Sequence, residues 1–361
     1  MNVGVIAGLT LLILLIVKMV VFRKKDVILS KRVQRWKDAG KYFQWRYPVF
    51  FRDSQTEPNP PKNHKEDSVL LLLHGFPTSS FDWLSVWGEL LHESPISWRI
   101  LAPDFIGFGF SGKPCERRLY QDGLVMQADM IEDFLKAEYP EGCPPVHILS
   151  HDYGLSVAQE LIYRWQQPQR KGNYPPIQLR SVGFLNGGMI PGSHRPLLIQ
   201  RLLASPVGYW LGMFMTKGMF GKRFCEIWGR KPTRAMMDDF WSLICYNEGI
   251  FVQAYLLSYM AESRKNCLRW ITAIDNTFAP IPMILIDGPA DPVSGRHLAE
   301  AVARHWKVEI SEWGGECKPN IRQVQLLPNQ FGHYPQVECS PLYWGAIFDS
   351  SKNVSCPPPK S

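Results

Sequence analysis

The sequence predicts an α/β protein. It should have a mostly parallel sheet with helices on both faces, an inserted helical cap and an N-terminal transmembrane helix. Three observations predict it. Apolar runs of strand length alternate with stretches of helical spacing between residues 68 and 167, and strand and helix alternate again between 281 and 327, the pattern of parallel strands joined by helices. From about 191 to 278 the alternation stops, and aromatics, Met and helical spacing take over, as in FWSLICYNEGIFVQAYLLSYM. Residues 3–17, VGVIAGLTLLILLIV, followed after Lys18 by MVVF, approach a spanning length, which is about 20 apolar residues.

The elements follow in chain order. Residues 1–25 read as an anchor and its basic flank. Lys18 lies near the end of the apolar run and can snorkel to the interface. Arg23, Lys24 and Lys25 come after the run and no small-x-small cleavage site is evident, which favours an uncleaved anchor over a signal peptide. Basic residues on that side place the rest of the chain in the cytosol. Residues 26–40 read as a linker with a short helix. Residues 41–190 form the first part of the core. KYFQWRYPVFFRDS (41–54) reads as a hairpin, and EPNPPKNHKED (57–67) as a turn-rich loop. SVLLLLHG (68–75) is a strand buried on both faces. WRILAPD (98–104), VHILS (146–150) and LRSVGFLNGG (179–188) are the next strands, with helices at 127–139 and 155–167. Residues 191–278 are the cap. Residues 279–350 complete the core, with strands in IPMILIDG (281–288) and IRQVQLL (321–327) and a helix at 294–306. Residues 351–361 are a tail.

Composition narrows the function. The chain has 361 residues, 45% apolar and 20% charged, which suits a large globular domain with an insertion. The net charge of +7 owes much to Arg23, Lys24, Lys25, Lys31 and Arg32. That cluster flanks a membrane segment and does not suggest a nucleic-acid face. Eight cysteines stand singly without metal-ligand spacing, so they read as reduced packing thiols and no metal is expected. GFGFSG (107–112) matches a dinucleotide fingerprint, but Lys113-Pro114 follows where a helix should open, so no cofactor is expected either.

The candidate site lies at strand ends, where parallel sheets gather function. ILSHDYG (148–154) runs from strand to helix. A nucleophile elbow needs small residues two before and two after the nucleophile. Ser150 and Gly154 meet that need about Asp152, whereas an elbow centred on Ser150 would be flanked by Ile148 and Asp152. Asp291 follows one later strand in DGPADPV, and His333 follows another in FGHYPQVE. The order nucleophile, acid, histidine is that of the α/β-hydrolase fold. A carboxylate is ionised at neutral pH and can attack saturated carbon directly, forming an alkyl ester. His333 is then needed only as the base that activates the water cleaving that ester, with Asp291 orienting it. Backbone N–H groups of Tyr153 and of Phe76, in HGFP, would face the oxyanion.

HGFPTSSFDW, DFIGFGFSGKP, LSHDYG, NGGMIPGSHRPLL and GHYPQVE together resemble the mesoderm-specific transcript (MEST) protein family, in the epoxide-hydrolase-like branch of the α/β-hydrolase superfamily. The likeness runs from about residue 35 to 348. It implies a capped hydrolase core, single-pass association with the endoplasmic reticulum membrane, and Asp152, Asp291 and His333 as the triad. LLSYMAESRKNCLRW resembles the cap segment that carries a proton-donating tyrosine in epoxide hydrolases, which points to Tyr259, with Tyr255 and Tyr246 as rivals. Haloalkane dehalogenases typically hold the halide with a Trp after the nucleophile and a donor side chain after HG. Tyr153 and Phe76 stand there instead, so dehalogenation is not expected. The expected activity is hydrolysis of a lipophilic epoxide through an aspartyl ester. The alternatives are a lipid acyl hydrolase or acyltransferase, which needs another nucleophile, and a catalytically silent membrane adaptor, which an intact triad argues against.

Overall fold

The computed structural model describes residues 3–22, 27–58, 68–92, 98–166, 176–275, 281–312 and 321–339. In chain order it gives α1 (Val3–Phe22), α2 (Lys31–Asp38), β1 (Lys41–Gln44), β2 (Pro48–Asp53), β3 (Ser68–Leu73), α3 (Leu84–His92), β4 (Trp98–Pro103), α4 (Gly123–Glu138), β5 (Val146–His151), α5 (Tyr153–Trp165) and β6 (Leu179–Leu185). Six helices follow: α6 (Leu198–Leu203), α7 (Gly208–Met213), α8 (Lys217–Phe224), α9 (Arg234–Cys245), α10 (Gln253–Leu256) and α11 (Tyr259–Ile274). β7 (Met283–Asp287), α12 (Arg296–Trp306), β8 (Ile310–Glu312), β9 (Arg322–Leu326) and α13 (Pro335–Glu338) complete it.

The strands form one sheet in the order β1-β2-β4-β3-β5-β6-β7-β9-β8. The hairpin edge is antiparallel, and every pairing from β4 to β8 is parallel. Strand side chains alternate between faces, and the apolar runs therefore feed two cores. Val69, Leu71 and Leu73 join Ile148 and Phe184 on the face covered by α4, α5, α11 and α12. Leu70 and Leu72 join Leu149 and Ile286 on the face covered by α2 and α3. Uninterrupted leucine suits β3 because both of its faces are covered.

Three elements differ from the sequence reading. Residues 31–38, taken as part of a linker, are docked: Val33 and Trp36 are buried, Trp36 meets Phe81 and Trp87 edge-on, and Arg32 pairs with Asp239. α11, taken as cap, returns to the core. Its Trp270 Nε1 donates to Glu160 Oε2 on α5 at 2.6 Å, and Glu262 accepts from the Leu124 and Val125 N–H groups that open α4. β8 adds a short strand at the far edge.

α1 is a 20-residue helix. Its side chains are described at positions 4–10 and 12–14, where Val5, Ile6, Leu9, Leu12, Ile13 and Leu14 are exposed. Among the described residues no helix is long and apolar enough to cross a membrane, so the transmembrane helix expected from the sequence is not shown. The flank Arg23-Lys24-Lys25 and the tail 351–361 lie outside the described residues.

Candidate active site

Asp152 stands between the end of β5 and the start of α5, at φ 45°, ψ −107°. A non-glycine residue there is strained, at a cost of about 1–3 kcal/mol. The surroundings enforce it. Asp152 N–H donates to Asn186 O at 2.9 Å, Gly154 N–H to His74 O at 3.0 Å, and Leu155 N–H to Asp152 O at 3.1 Å. The turn is too tight for side chains beside it: a Cβ on Gly154 would lie 2.5 Å from Leu73 O, and one on Gly187 would lie 2.9 Å from Asp152 Cα. This is the physical content of the small-residue spacing around the elbow.

The carboxylate so placed has two distinct oxygens. Oδ1 accepts from Phe76 N–H at 3.0 Å, and Oδ2 lies 3.6 Å from His333 Nε2. Tyr153 N–H occupies the first position of α5, where a helix has no internal acceptor to offer. His333 Nδ1 lies 2.7 Å from Asp291 Oδ2. Asp291 also accepts from Val293 N–H at 2.8 Å, Ser294 N–H at 3.0 Å, Ser294 Oγ at 2.7 Å and Asn186 Nδ2 at 3.2 Å. These bonds decide its ionisation. Burial favours its neutral form, but His333 and the donors hold it down to about 2. Burial would lower the His333 pKa, yet Asp291 foremost, then Asp152 and Glu338, push it up to about 9. The surroundings thus favour a protonated His333 between Asp291 and Asp152.

Above Asp152 and His333 lies a cavity of about 110 Å³, walled by Phe76 and by apolar cap side chains that include Leu203, Met215, Phe220 and Trp241. Of the three candidate tyrosines, only Tyr259 approaches the site. Its ring lies 6.2 Å from that of Phe76 and 5.5 Å from that of Tyr153. Its hydroxyl is buried without a hydrogen-bond partner. Burial first, then the charge of Asp152, lifts its pKa well above the ordinary value, so it stays protonated. Tyr255 instead stacks on Tyr209 at 5.3 Å, and Tyr246 packs edge-on to Phe110 at 5.0 Å. The glycine-rich stretch 107–112 closes a loop, with Gly107 N–H on Gly112 O at 2.8 Å.

The sequence reading missed four residues that shape this site. His194 lies 6.2 Å from Tyr259, ring to ring, with neither ring nitrogen bonded. Burial lowers its pKa, so it is a neutral imidazole able to donate. Asn186 and Ser294 fix Asp291. Glu338 fixes the His333 loop, for it accepts from Gly229 N–H at 3.0 Å, Arg230 N–H at 2.9 Å, Gly332 N–H at 3.0 Å and Tyr334 N–H at 3.1 Å. His194, Asn186 and Glu338 sit inside motifs already quoted, NGGMIPGSHRPLL and GHYPQVE, and their polar identity was the available signal.

Known proteins agree with this architecture. Residues 70–324 match the alpha/beta hydrolase family. The mesoderm-specific transcript protein of Mus musculus is 34% identical over 318 residues, covering 86% of this chain and 85% of the mouse chain. The structure of a haloalkane dehalogenase DbeA-M1 loop variant from Bradyrhizobium elkanii superposes with a TM-score of 0.59 at 18% identity, covering 83% of this chain and 92% of that one. The Cif epoxide hydrolase from Acinetobacter nosocomialis gives a TM-score of 0.59 at 14% identity, covering 87% and 94%. At such identities the two structures speak for the fold alone. The chain therefore belongs to the alpha/beta hydrolase family, together with the mesoderm-specific transcript proteins.

Proposed function

We propose that the chain is a membrane-anchored hydrolase that opens a lipophilic epoxide through a covalent aspartyl ester. The observation that carries the reading is Asp152 on the strained elbow, with Oδ1 on Phe76 N–H and Oδ2 facing His333 Nε2. Oδ2 attacks an epoxide carbon, the ring C–O bond breaks, and the leaving alkoxide takes the proton of Tyr259 Oη. His194, with its ring 6.2 Å from that of Tyr259, is a second donor beside it. His333 then passes its proton through water to the Tyr259 oxygen, and its freed Nε2 takes a proton from the water that attacks the ester carbonyl. The oxyanion so formed faces the N–H groups of Phe76 and Tyr153. Collapse expels the diol oxygen, which takes the remaining proton of the attacking water, and leaves Asp152 a carboxylate and His333 protonated as at the start. The two steps are self-timed. The Asp152 charge helps hold the proton on His333, and esterification removes that charge, which eases the proton's release before a base is required.

Anchoring rests on the apolar side chains that α1 exposes and on the basic residues after it. We place the chain at the endoplasmic reticulum membrane, catalytic domain toward the cytosol, on that charge distribution and on the family likeness. A serine-based acyl hydrolase gains no support at the elbow, since Ser150 Oγ donates into the sheet, to Gly183 O at 3.2 Å.

The test is intact mass spectrometry of His333→Gln incubated with aryl, terpenoid and fatty-acid epoxides. Without its base the ester should accumulate as a substrate-sized adduct that maps to Asp152. A folded variant that gains no adduct across the panel counts against the epoxide reading. An adduct on a serine moves the assignment to acyl transfer.

A further inference from the structure

Apart from α1, the outer face of the cap gathers most of the exposed large hydrophobics among the described residues. α6 and α7 pack against each other, and their outward side exposes Leu198 at 73%, Leu202 at 45%, Trp210 at 48% and Leu211 at 41%, with Val207 at 55% between them. Met219 on α8 adds a further 52%. Single exposed hydrophobics are ordinary, but a run of large ones on one two-helix unit marks an interaction face. Charge identifies the partner. From residue 195 to 225 the chain carries Arg195, Arg201, Lys217, Lys222 and Arg223 and no Asp or Glu. All five are exposed. Lys217 and Arg223 do meet acids, Asp238 and Glu226, from beyond this stretch.

Apolar side chains fringed by cations suit the surface of an anionic bilayer, where the first enter the acyl boundary and the second meet headgroups. A second copy of the chain is a poor fit, because a two-fold contact would set the cations against one another. The inner sides of the same helices also matter. Ile199, Leu203 and Gly212 line the cavity at Asp152, so one layer of helix separates this face from the candidate nucleophile.

We propose that the α6–α8 face of the cap docks on an anionic lipid surface. This extends the membrane reading, but it rests on different residues from α1 and needs no particular chemistry at Asp152.

The test uses the full chain with vesicles of phosphatidylcholine, alone or mixed with phosphatidylserine. The fluorescence of Trp210 is read as the difference between wild type and Trp210→Phe. Acyl-brominated lipid should quench that difference signal in the mixed vesicles. Its quenching by acrylamide should fall about twofold or more, as burial at the acyl boundary requires. Arg201→Glu with Lys222→Glu should restore acrylamide access. Equal acrylamide quenching with and without lipid overturns the proposal. So does protection that appears without lipid and grows with protein concentration, which would mean a second copy covers the face. Neither readout depends on turnover, so failure of the epoxide reading leaves this test intact. An adduct on Asp152 likewise survives a failure of docking.

Discussion

Replacing Asp152 by Asn keeps the shape of the elbow and removes one negative charge 3.6 Å from His333 Nε2. At an effective dielectric of about 20, a unit charge at that distance contributes about 4.6 kcal/mol, equivalent to about 3 pH units. That is a ceiling. The charge is shared by two oxygens, one of which is already answered by Phe76 N–H at 3.0 Å, and a relayed dipole remains in the amide. We expect the His333 titration to fall from about 9 by about 1–2 pH units. It should not fall further toward neutral imidazole behaviour, because Asp291 remains at 2.7 Å. The assay is nitrogen-15 NMR of histidine-labelled protein across roughly pH 5 to pH 10. His333→Gln identifies the relevant signal among the nine histidines. A titration that does not move would show that Asp152 is not the charge facing His333, and the proposed timing of the two steps would fall with it.

Further outcomes follow from the same geometry. Tyr259→Phe deletes a buried hydroxyl that has no partner, so melting temperature should hold or rise, by up to about 1–2 kcal/mol of stability. Ester formation in the His333→Gln background should slow by about 10²-fold; an unchanged rate would reduce Tyr259 to packing. Gly154→Ala would set a Cβ 2.5 Å from Leu73 O and 2.6 Å from His74 O. It should cost about 3 kcal/mol or more, visible as loss of soluble folded protein, whereas Gly88→Ala, with open space around it, should be neutral or better. Stability should fall at both ends of the pH range. Asp291 is depressed to about 2 from 3.8, so its contribution is present above the unfolded value and lost as pH falls through about 2. His333 is raised to about 9 from 6.5, so its contribution is full below the unfolded value and lost as pH rises through about 9. Thermal melts should show a steeper decline through about pH 9 in wild type than in His333→Gln.

The legible parts of this chain are those that repeat a physical constraint. A strand covered on both faces must be apolar throughout, and Leu70–Leu73 state that four times over. Asp152 was readable because an elbow admits so few side chains that Ser150 and Gly154 bracket it. Asn186, Ser294 and Glu338 were not readable in the same way. Each is one polar residue whose value lies in acceptors or donors brought from distant segments, and no local period announces such a meeting. His194 is similar: its motif was noticed, but its unbonded ring beside Tyr259 depends on how the 188–196 segment folds back. α11 misled for a different reason. Its helical spacing is the same whether it roofs a cavity or lies on α5, and the buried Trp270–Glu160 bond that decides between them is a pairing across 110 residues.

Glu338 ties the cap to the loop that carries His333. Its carboxylate bonds two amides of the cap, at Gly229 and Arg230, and two of the loop that presents His333. His333 N–H itself donates to Ile227 O at 2.9 Å. A cap that swung upward at this end would unlatch the histidine as it opened. On the proposed mechanism, entry by lifting this end of the cap would break the bonds that position His333 for the water step. A thin, flexible molecule entering past the α6–α7 side would leave the latch closed, whereas a bulky one that parted it would also loosen the histidine.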